Sequence, residues 1–173
     1  MDQLWAPWRM ELIKKGEPES GCIFCDLPRA QGDRENLILG RTANTFAILN
    51  KYPYNNGHLM VVPRRHTADL HALEGAEWQE LNTMLRTALG LLQAAYKPHG
   101  ANIGLNLGRI AGAGIADHAH WHIVPRWNGD TNFMPVLGQT KVMIEHLYDG
   151  WDKLRPAFAK DYRMPGTAEV ASW

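Results

Sequence analysis

Short apolar runs separated by turn-forming residues dominate the chain from Asn36 onward. Leu37–Leu39 and Thr45–Leu49 have the pattern of a hairpin with its turn at Arg41–Asn44, and His58–Pro63 has the pattern of a third strand. The segment between the second and third strands is dense in turn formers, which favours antiparallel pairing. The pattern therefore predicts three consecutive antiparallel strands.

The period of the apolar positions then changes to that of a helix. Between Ala76 and Tyr96 apolar residues recur at steps of three and four, as in an amphipathic helix. Pro98 and Gly100 are expected to end this helix.

Two further strands and a second helix follow. Asn102–Leu107 and Ala119–Arg126 read as strands four and five with a glycine-rich loop at 111–114 between them, and Val142–Phe158 reads as a helix. The order of strands, long helix, strands and C-terminal helix predicts an α+β fold with a mainly antiparallel five-stranded sheet.

Length and charge narrow the class of protein. The 173 residues suit one domain over 1–173, with a core at about 22–127, an N-terminal arm at 1–21 and a C-terminal helix and tail at 128–173. Lys+Arg and Asp+Glu number 18 each, so no broad attraction to nucleic acid or to a membrane surface is expected. The first residues lack the apolar core of a signal peptide, which predicts a cytoplasmic protein.

Three histidines, His118, His120 and His122, occupy alternate positions in the predicted fifth strand. Strand side chains alternate between faces, so the three imidazoles would share one face with about 6–7 Å between neighbours. Packing or chance explains such a series poorly. Two chemistries stay open: a metal site on a strand, and nucleophilic attack by one imidazole on phosphorus.

The only two cysteines, Cys22 and Cys25, form a Cys-x-x-Cys. They are too few for a secreted disulfide scaffold, and we interpret them as thiols. Such a pair serves redox chemistry or supplies half of a zinc site. The flanking Glu19–Gly21 and Asp26–Pro28 resemble loop, whereas a redox motif needs a βαβ context.

The residues around the three histidines resemble the histidine-triad (HIT) family. His118–Val124 has the family pattern His-x-His-x-His-x-x with apolar residues at x, and Phe46–Pro63 resembles the family's nucleoside-binding hairpin. Leu4–Arg9 and Pro125–Asp130 are similar to the bacterial branch described as diadenosine tetraphosphate phosphorylase-like. The resemblance covers roughly Cys22–Trp127.

This resemblance implies an enzyme that cleaves dinucleoside polyphosphates at the α-phosphorus by phosphorolysis or hydrolysis. His120 would be the nucleophile that forms a nucleotidyl-histidine, and His122 would assist at the phosphate. His118 completes the catalytic triad of histidines. Alternatives are a nucleoside phosphoramidate hydrolase, a non-catalytic nucleotide-binding HIT protein, and a metalloenzyme with all three histidines on one metal.

The resemblance also implies a nucleotide-binding set: Phe46, Ile48, Asn50, His58, Asn106, Gly112, Gly114 and Ile115. Phe46 and Ile48 would sandwich the base, although core packing would use the same residues. Asn50 would bind the ribose hydroxyls, unless it is simply a turn asparagine. The glycine loop would bring backbone amides to the phosphate, and Ile115 stands where many members have a hydroxyl or an amide.

Zinc-containing members of the family use a cysteine pair together with two histidines. The matching positions are Cys22, Cys25, His66 and His118, which would form a closed and therefore structural zinc site; a degenerate site without metal is the alternative. Family members commonly dimerise by extending the sheet and packing the long helix. The resemblance thus implies a homodimer that binds adenosine nucleotides. The balanced charge predicts that neither nucleic acid nor a membrane is a partner.

Overall fold

A five-stranded antiparallel sheet forms the centre of the molecule. The computed structural model describes residues 21–130 and 143–161. The strand order across the sheet is β1-β2-β3-β5-β4, and the strands are β1 Ile38–Arg41, β2 Thr45–Leu49, β3 Leu59–Pro63, β4 Gly100–Leu105 and β5 Trp121–Arg126. Within the described residues, three α-helices accompany them: α1 Ile23–Asp26, α2 Gly75–Tyr96 and α3 Leu147–Asp161.

Strands β2 and β3 lie inside the sheet, and every residue of both is buried. Their register pairs Ala47 with Val61 and Ile48 with Met60, and β3 in turn pairs Met60 with His122 of β5. These apolar strands need cover on both faces, which explains why they contain almost no polar residue. The histidine strand is therefore held next to the most buried part of the sheet.

Helix α2 covers one face of the sheet by packing on β2 and β3. Its buried side chains follow the predicted helical period: Leu81, Met84, Ala88, Leu91 and Leu92. At the same face, the rings of Trp78 and Trp121 meet edge to face at 5.7 Å between centroids. Because side chains alternate along β5, His122 points to the opposite face.

Helix α3 packs against β1 and α2 at the edge of the sheet. The indole Nε1–H of Trp151 donates to the carbonyl of Ile38 at 2.8 Å, which ties the helix to the first strand. Among the described residues, no helix combines the length and apolar character needed to cross a bilayer.

The predicted α+β fold with five antiparallel strands, a long helix and a C-terminal helix is confirmed. Several boundaries differ from the prediction. Strand β4 begins at Gly100, which was expected only to end the helix, because residues from Gly100 onward pair with β5. Helix α3 begins at Leu147 and not at Val142. Three parts of the prediction lie outside the described residues: Val142 itself, the arm at 1–20 and the tail from 162.

The segment expected to be loop around the cysteine pair contains the helical turn α1. The carbonyl of Cys22 accepts hydrogen bonds from the backbone N–H groups of Cys25 and Asp26 at 2.8 and 3.0 Å. The start of the fifth strand also differs from the prediction, since β5 begins at Trp121 and not at Ala119. The N–H of Ala119 donates instead to the carbonyl of Thr67, so this backbone leaves the sheet ladder.

Candidate functional site

The three histidines are buried, but their rings meet different parts of the molecule. His118 is fully buried, while His120 and His122 retain only 4% and 9% of their accessible surface. The rings of His120 and His122 are neighbours, with 5.0 Å between centroids. The ring of His118 instead meets the cysteine pair. The predicted common face therefore divides into two sites.

The first site brings Cys22, Cys25, His66 and His118 together, with their candidate ligand atoms all within 4.8 Å of one another. His118 Nδ1 lies 3.3 Å from His66 Nδ1, 3.3 Å from Cys22 Sγ and 3.6 Å from Cys25 Sγ. Tetrahedral zinc with its usual bond lengths places two nitrogens about 3.4 Å apart, and a nitrogen and a sulfur about 3.6 Å apart. The four residues therefore fit a zinc ion.

The tautomer of His118 also suits a metal ligand. Its Nε2 lies 2.8 Å from the carbonyl oxygen of Pro63, so Nε2–H donates there and the Nδ1 lone pair faces the other three side chains. Burial lowers the pKa of His118 to about 4, which keeps the ring neutral. Burial, with the neighbouring Cys22, raises the pKa of the Cys25 thiol to about 11.

His120 is oriented by the backbone of the first site. Its Nδ1 lies 2.8 Å from the carbonyl oxygen of His118. The Nδ1–H donates to this carbonyl, so the lone pair of the neutral ring is on Nε2. Phe24 of α1 packs against the rings of both His118 and His120, at 5.5 and 4.9 Å between centroids. The ring of His120 is thus fixed in position and in tautomer.

His122 is oriented by a second chain of hydrogen bonds, which begins at a backbone N–H. The N–H of Tyr54 donates to His58 Nδ1 at 3.0 Å, so the proton of the neutral His58 ring is on Nε2. That Nε2 lies 3.0 Å from His122 Nδ1, to which it donates. His122 therefore carries its own proton on Nε2 and can donate a hydrogen bond through it into the cleft.

His120 and His122 line a cleft of about 560 Å³, a size typical of small-molecule sites. Four of the predicted nucleotide-binding residues line it as well: Ile48, Asn50, Gly114 and Ile115. Asn50 accepts the N–H of Tyr52 through Oδ1 at 2.9 Å. It therefore combines the turn role with a position in the cleft.

The structure places the other predicted binding residues away from the cleft wall. Phe46 is fully buried behind Phe24, with 6.5 Å between the ring centroids. His58 lies behind His122. Asn106 Nδ2 lies 3.5 Å from the carbonyl oxygen of Gly112, so these two positions meet each other.

The cleft also has lining residues that the sequence patterns did not single out. Helix α1 contributes Ile23 and Phe24, Leu27 directly follows this helix, and the start of α3 contributes Leu147 and Tyr148. Ile23 and Phe24 are the two residues inside the Cys-x-x-Cys. This motif drew attention to the segment, but it gave no indication that the two apolar residues line the cleft.

The HIT domain family model matches residues 31–129, and the chain belongs to the HIT family. The chain is similar to the AP-4-A phosphorylase of Mycobacterium tuberculosis strain H37Rv, with 40% identity over 157 residues, covering 86% of this chain and 80% of the relative. It is also 33% identical over 107 residues to an adenosine 5'-monophosphoramidase of Schizosaccharomyces pombe, covering 62% of this chain and 75% of that protein.

Solved structures agree with the fold. A hypothetical histidine triad nucleotide-binding protein from Sulfolobus tokodaii superposes with a TM-score of 0.64 at 26% identity, covering 86% of this chain and 99% of that one. A zinc-bound histidine triad family protein from Mycobacterium smegmatis superposes with a TM-score of 0.63 at 24% identity, covering 81% of this chain and 94% of that one. The family predicted from the histidine pattern is confirmed.

Proposed function

We propose that this HIT protein is an enzyme that cleaves dinucleoside polyphosphates such as diadenosine tetraphosphate at the α-phosphorus, with inorganic phosphate as the second acceptor. The observation that carries the proposal is the orientation of His120: its Nδ1–H is held by the carbonyl of His118, and its ring lines the cleft beside His122. A neutral imidazole with its lone pair on Nε2 is a nucleophile suited to phosphorus.

The first step transfers the nucleotidyl group to His120. Nε2 attacks the α-phosphorus, the P–N bond forms, and the bond from phosphorus to the bridging oxygen breaks. The leaving group from diadenosine tetraphosphate is ATP, which departs as an anion, and the Nε2–H of His122 donates a hydrogen bond to the departing oxygen. The backbone at Gly114 lines the same cleft, which suits close approach to a phosphate.

The second step releases the nucleotide. An oxygen of inorganic phosphate attacks the same phosphorus, the P–N bond breaks, and ADP leaves. The overall change is diadenosine tetraphosphate plus phosphate to ADP plus ATP. Water as the acceptor would give AMP plus ATP by the same steps, so the acceptor decides between phosphorylase and hydrolase.

Phosphorolysis is supported by the name of the mycobacterial relative, AP-4-A phosphorylase. The match to this chain covers 80% of that relative. A second candidate activity is hydrolysis of an adenosine phosphoramidate, supported by the similarity to the yeast monophosphoramidase. In that reaction the P–N bond of the substrate breaks when His120 attacks, and an amine leaves in place of ATP. Both activities need the same nucleophile and differ in the leaving group.

We also propose that Cys22, Cys25, His66 and His118 hold Zn²⁺, which would act structurally. The support is the set of interatomic distances, which match a tetrahedral ion, and the neutral, oriented ring of His118. Four protein ligands fill the coordination shell, so no position remains for substrate. The thiols that the site needs are kept in a reducing compartment, which supports a cytoplasmic location.

A homodimer formed along β4 is part of the proposal. This strand is at the edge of the sheet in the part of the chain that the structure describes, and the apolar residues Ile103, Leu107 and Ile110 near it are exposed by 49%, 49% and 105%. An exposed apolar edge strand is a template for pairing with another strand. Sedimentation equilibrium should give twice the chain mass, and Ile103→Arg should shift it toward the monomer. A monomeric wild-type protein would contradict this part.

Product analysis tests the reaction directly. The purified protein is incubated with diadenosine tetraphosphate, with and without inorganic phosphate, and the nucleotides are separated by anion-exchange chromatography. ADP and ATP in equal amounts, formed only with phosphate, support the phosphorylase. AMP and ATP without phosphate identify a hydrolase, and turnover of adenosine 5'-phosphoramidate alone identifies the second candidate. With His120→Asn as the matched control, product formed at the wild-type rate would contradict the mechanism.

A further inference from the structure

Part of the cleft is lined by residues beyond the end of the matched family region. The HIT domain match ends at residue 129, whereas His146, directly before α3, and Leu147 and Tyr148 in its first turn line the cleft. Part of the binding site therefore depends on a segment that the family pattern does not describe.

Tyr148 is held in place from behind by an arginine. The guanidinium carbon of Arg34 lies 4.7 Å from the centre of the Tyr148 ring. The same guanidinium donates to both carboxylate oxygens of Asp152 through Nε and Nη2, at 2.9 and 2.7 Å. A bidentate pair fixes the plane of an arginine, so the ring beneath it has little freedom. Tyr148 remains 37% exposed, which leaves ring surface for a ligand.

The order of the strands shows which part of a nucleotide would reach this wall. His120 precedes β5, and moving across the sheet through β3 and β2 to β1 covers roughly 14 Å, since neighbouring strands are about 4.8 Å apart. Met60, Ile48 and Leu37 line the cleft along this path. A nucleotide with its α-phosphorus at His120 and its ribose near Asn50 extends its base toward β1 and Tyr148.

We propose that Tyr148 is a base-contacting residue: its ring, fixed by Arg34, stacks against the purine of the nucleotide that is transferred to His120. This inference rests on the proposed function, because it assumes that the α-phosphorus lies at His120. An aromatic ring accepts any flat base, and loss of such a stack weakens binding by roughly five- to 100-fold.

AMP and ribose 5-phosphate, titrated by calorimetry into the wild type and Tyr148→Ala, separate the base from the rest of the nucleotide. The variant should bind AMP about tenfold more weakly and ribose 5-phosphate equally well. Tyr148→Phe should retain AMP affinity, because it keeps the ring. Ile144→Ala is the matched control, since Ile144 is in the same segment, is 89% exposed and does not line the cleft.

Unchanged AMP affinity in Tyr148→Ala would overturn the inference. Equal weakening of AMP and ribose 5-phosphate would also overturn it, because a general disturbance of the cleft would then explain both. Absence of AMP binding by the wild type has the same consequence. Binding is measured without turnover, so a wild type that binds AMP through Tyr148 but cleaves no dinucleotide would contradict the proposed function and leave the base contact standing.

Discussion

The cluster of Cys22, Cys25, His66 and His118, which could hold a metal ion, and the cleft share one short run of alternating histidines, yet they are different environments. In the cluster, His118 is fully buried and four ligand atoms converge within 4.8 Å, so there is room for an ion and for little else. In the cleft, His120 and His122 border a cavity of about 560 Å³. Equal spacing along the chain therefore does not mean equal chemistry; the partner that each ring meets decides its role.

The two regions are joined by the backbone carbonyl of His118 and by the ring of Phe24, which packs on both His118 and His120. The carbonyl of His118 holds Nδ1 of His120, while the ring of His118 faces Cys22, Cys25 and His66. Changes in the cleft should leave the cluster intact, because the four ligand atoms of the cluster converge on one another and the ring of His120 supplies none of them. Changes in the cluster should reach the cleft, because they move this carbonyl. The comparison therefore predicts a one-way dependence.

The largest effect is expected from His120→Asn. Removal of this proposed nucleophile should lower the turnover of diadenosine tetraphosphate by roughly 10³- to 10⁶-fold, as for other covalent catalysts. Metal content, measured by mass spectrometry of the purified protein, should be unchanged. Loss of metal together with activity would break the comparison, since it would place His120 in the metal site.

Cys22→Ser tests the opposite direction. Loss of one thiolate should abolish metal retention and lower the midpoint of thermal unfolding, because structural zinc contributes directly to folding. Turnover should fall by about 10- to 100-fold as the carbonyl that orients His120 loses its support. A metal chelator should lower the unfolding midpoint of the wild type but not that of the variant. Full metal content in Cys22→Ser would contradict the four-ligand assignment.

The sequence predicted the elements that have a regular pattern of apolar residues, and it missed parts of the cleft that have none. The strands and α2 were predictable because their apolar positions follow periods of two and 3.6 over many residues. Helix α1 was missed because a four-residue turn has no period, and it is held by the Cys22 carbonyl and by burial of Phe24. The position of Tyr148 in the cleft lining depends on its tertiary packing against Arg34, which no local sequence pattern could reveal.

His58→Asn should have a moderate effect that depends on the leaving group. The side chain of His58 fixes the proton of His122 on Nε2, so its loss should lower kcat for diadenosine tetraphosphate by about 100-fold. A 2,4-dinitrophenyl ester of AMP has a leaving group that is a much weaker base than ATP and needs less help from a hydrogen-bond donor, so its turnover should fall much less. His71→Asn, at an exposed histidine outside the cleft, is the matched control. Equal losses with both substrates would indicate a merely structural role.

The smallest effect is expected from Glu77→Gln, because Glu77 contacts the residue next to His66 and none of the four cluster side chains. Glu77 accepts hydrogen bonds from Arg65 Nε at 2.9 Å and from the N–H of Glu74 at 2.8 Å, and Arg65 directly precedes His66. Because the pair is partly exposed, we expect a loss of about 1 kcal/mol in the free energy of unfolding at pH 7. Metal affinity should fall a few-fold, whereas AMP affinity in the cleft should not change.

The pH dependence of this last variant distinguishes lost charge from lost packing. Burial alone would raise the pKa of Glu77, but the hydrogen bonds from Glu74 and Arg65 outweigh it and hold the pKa below its usual value. A carboxyl group with a lowered pKa stabilises the fold above its unfolded pKa of about 4.3, and this stabilisation is lost as the pH falls through the folded pKa. Urea unfolding should therefore show wild type and Glu77→Gln differing at pH 7 and converging below about pH 4. Glu74→Gln, which changes a more exposed partner of Arg65, should differ less from the wild type in its free energy of unfolding at every pH. If the difference between wild type and Glu77→Gln persists at low pH, the effect comes from packing and not from charge.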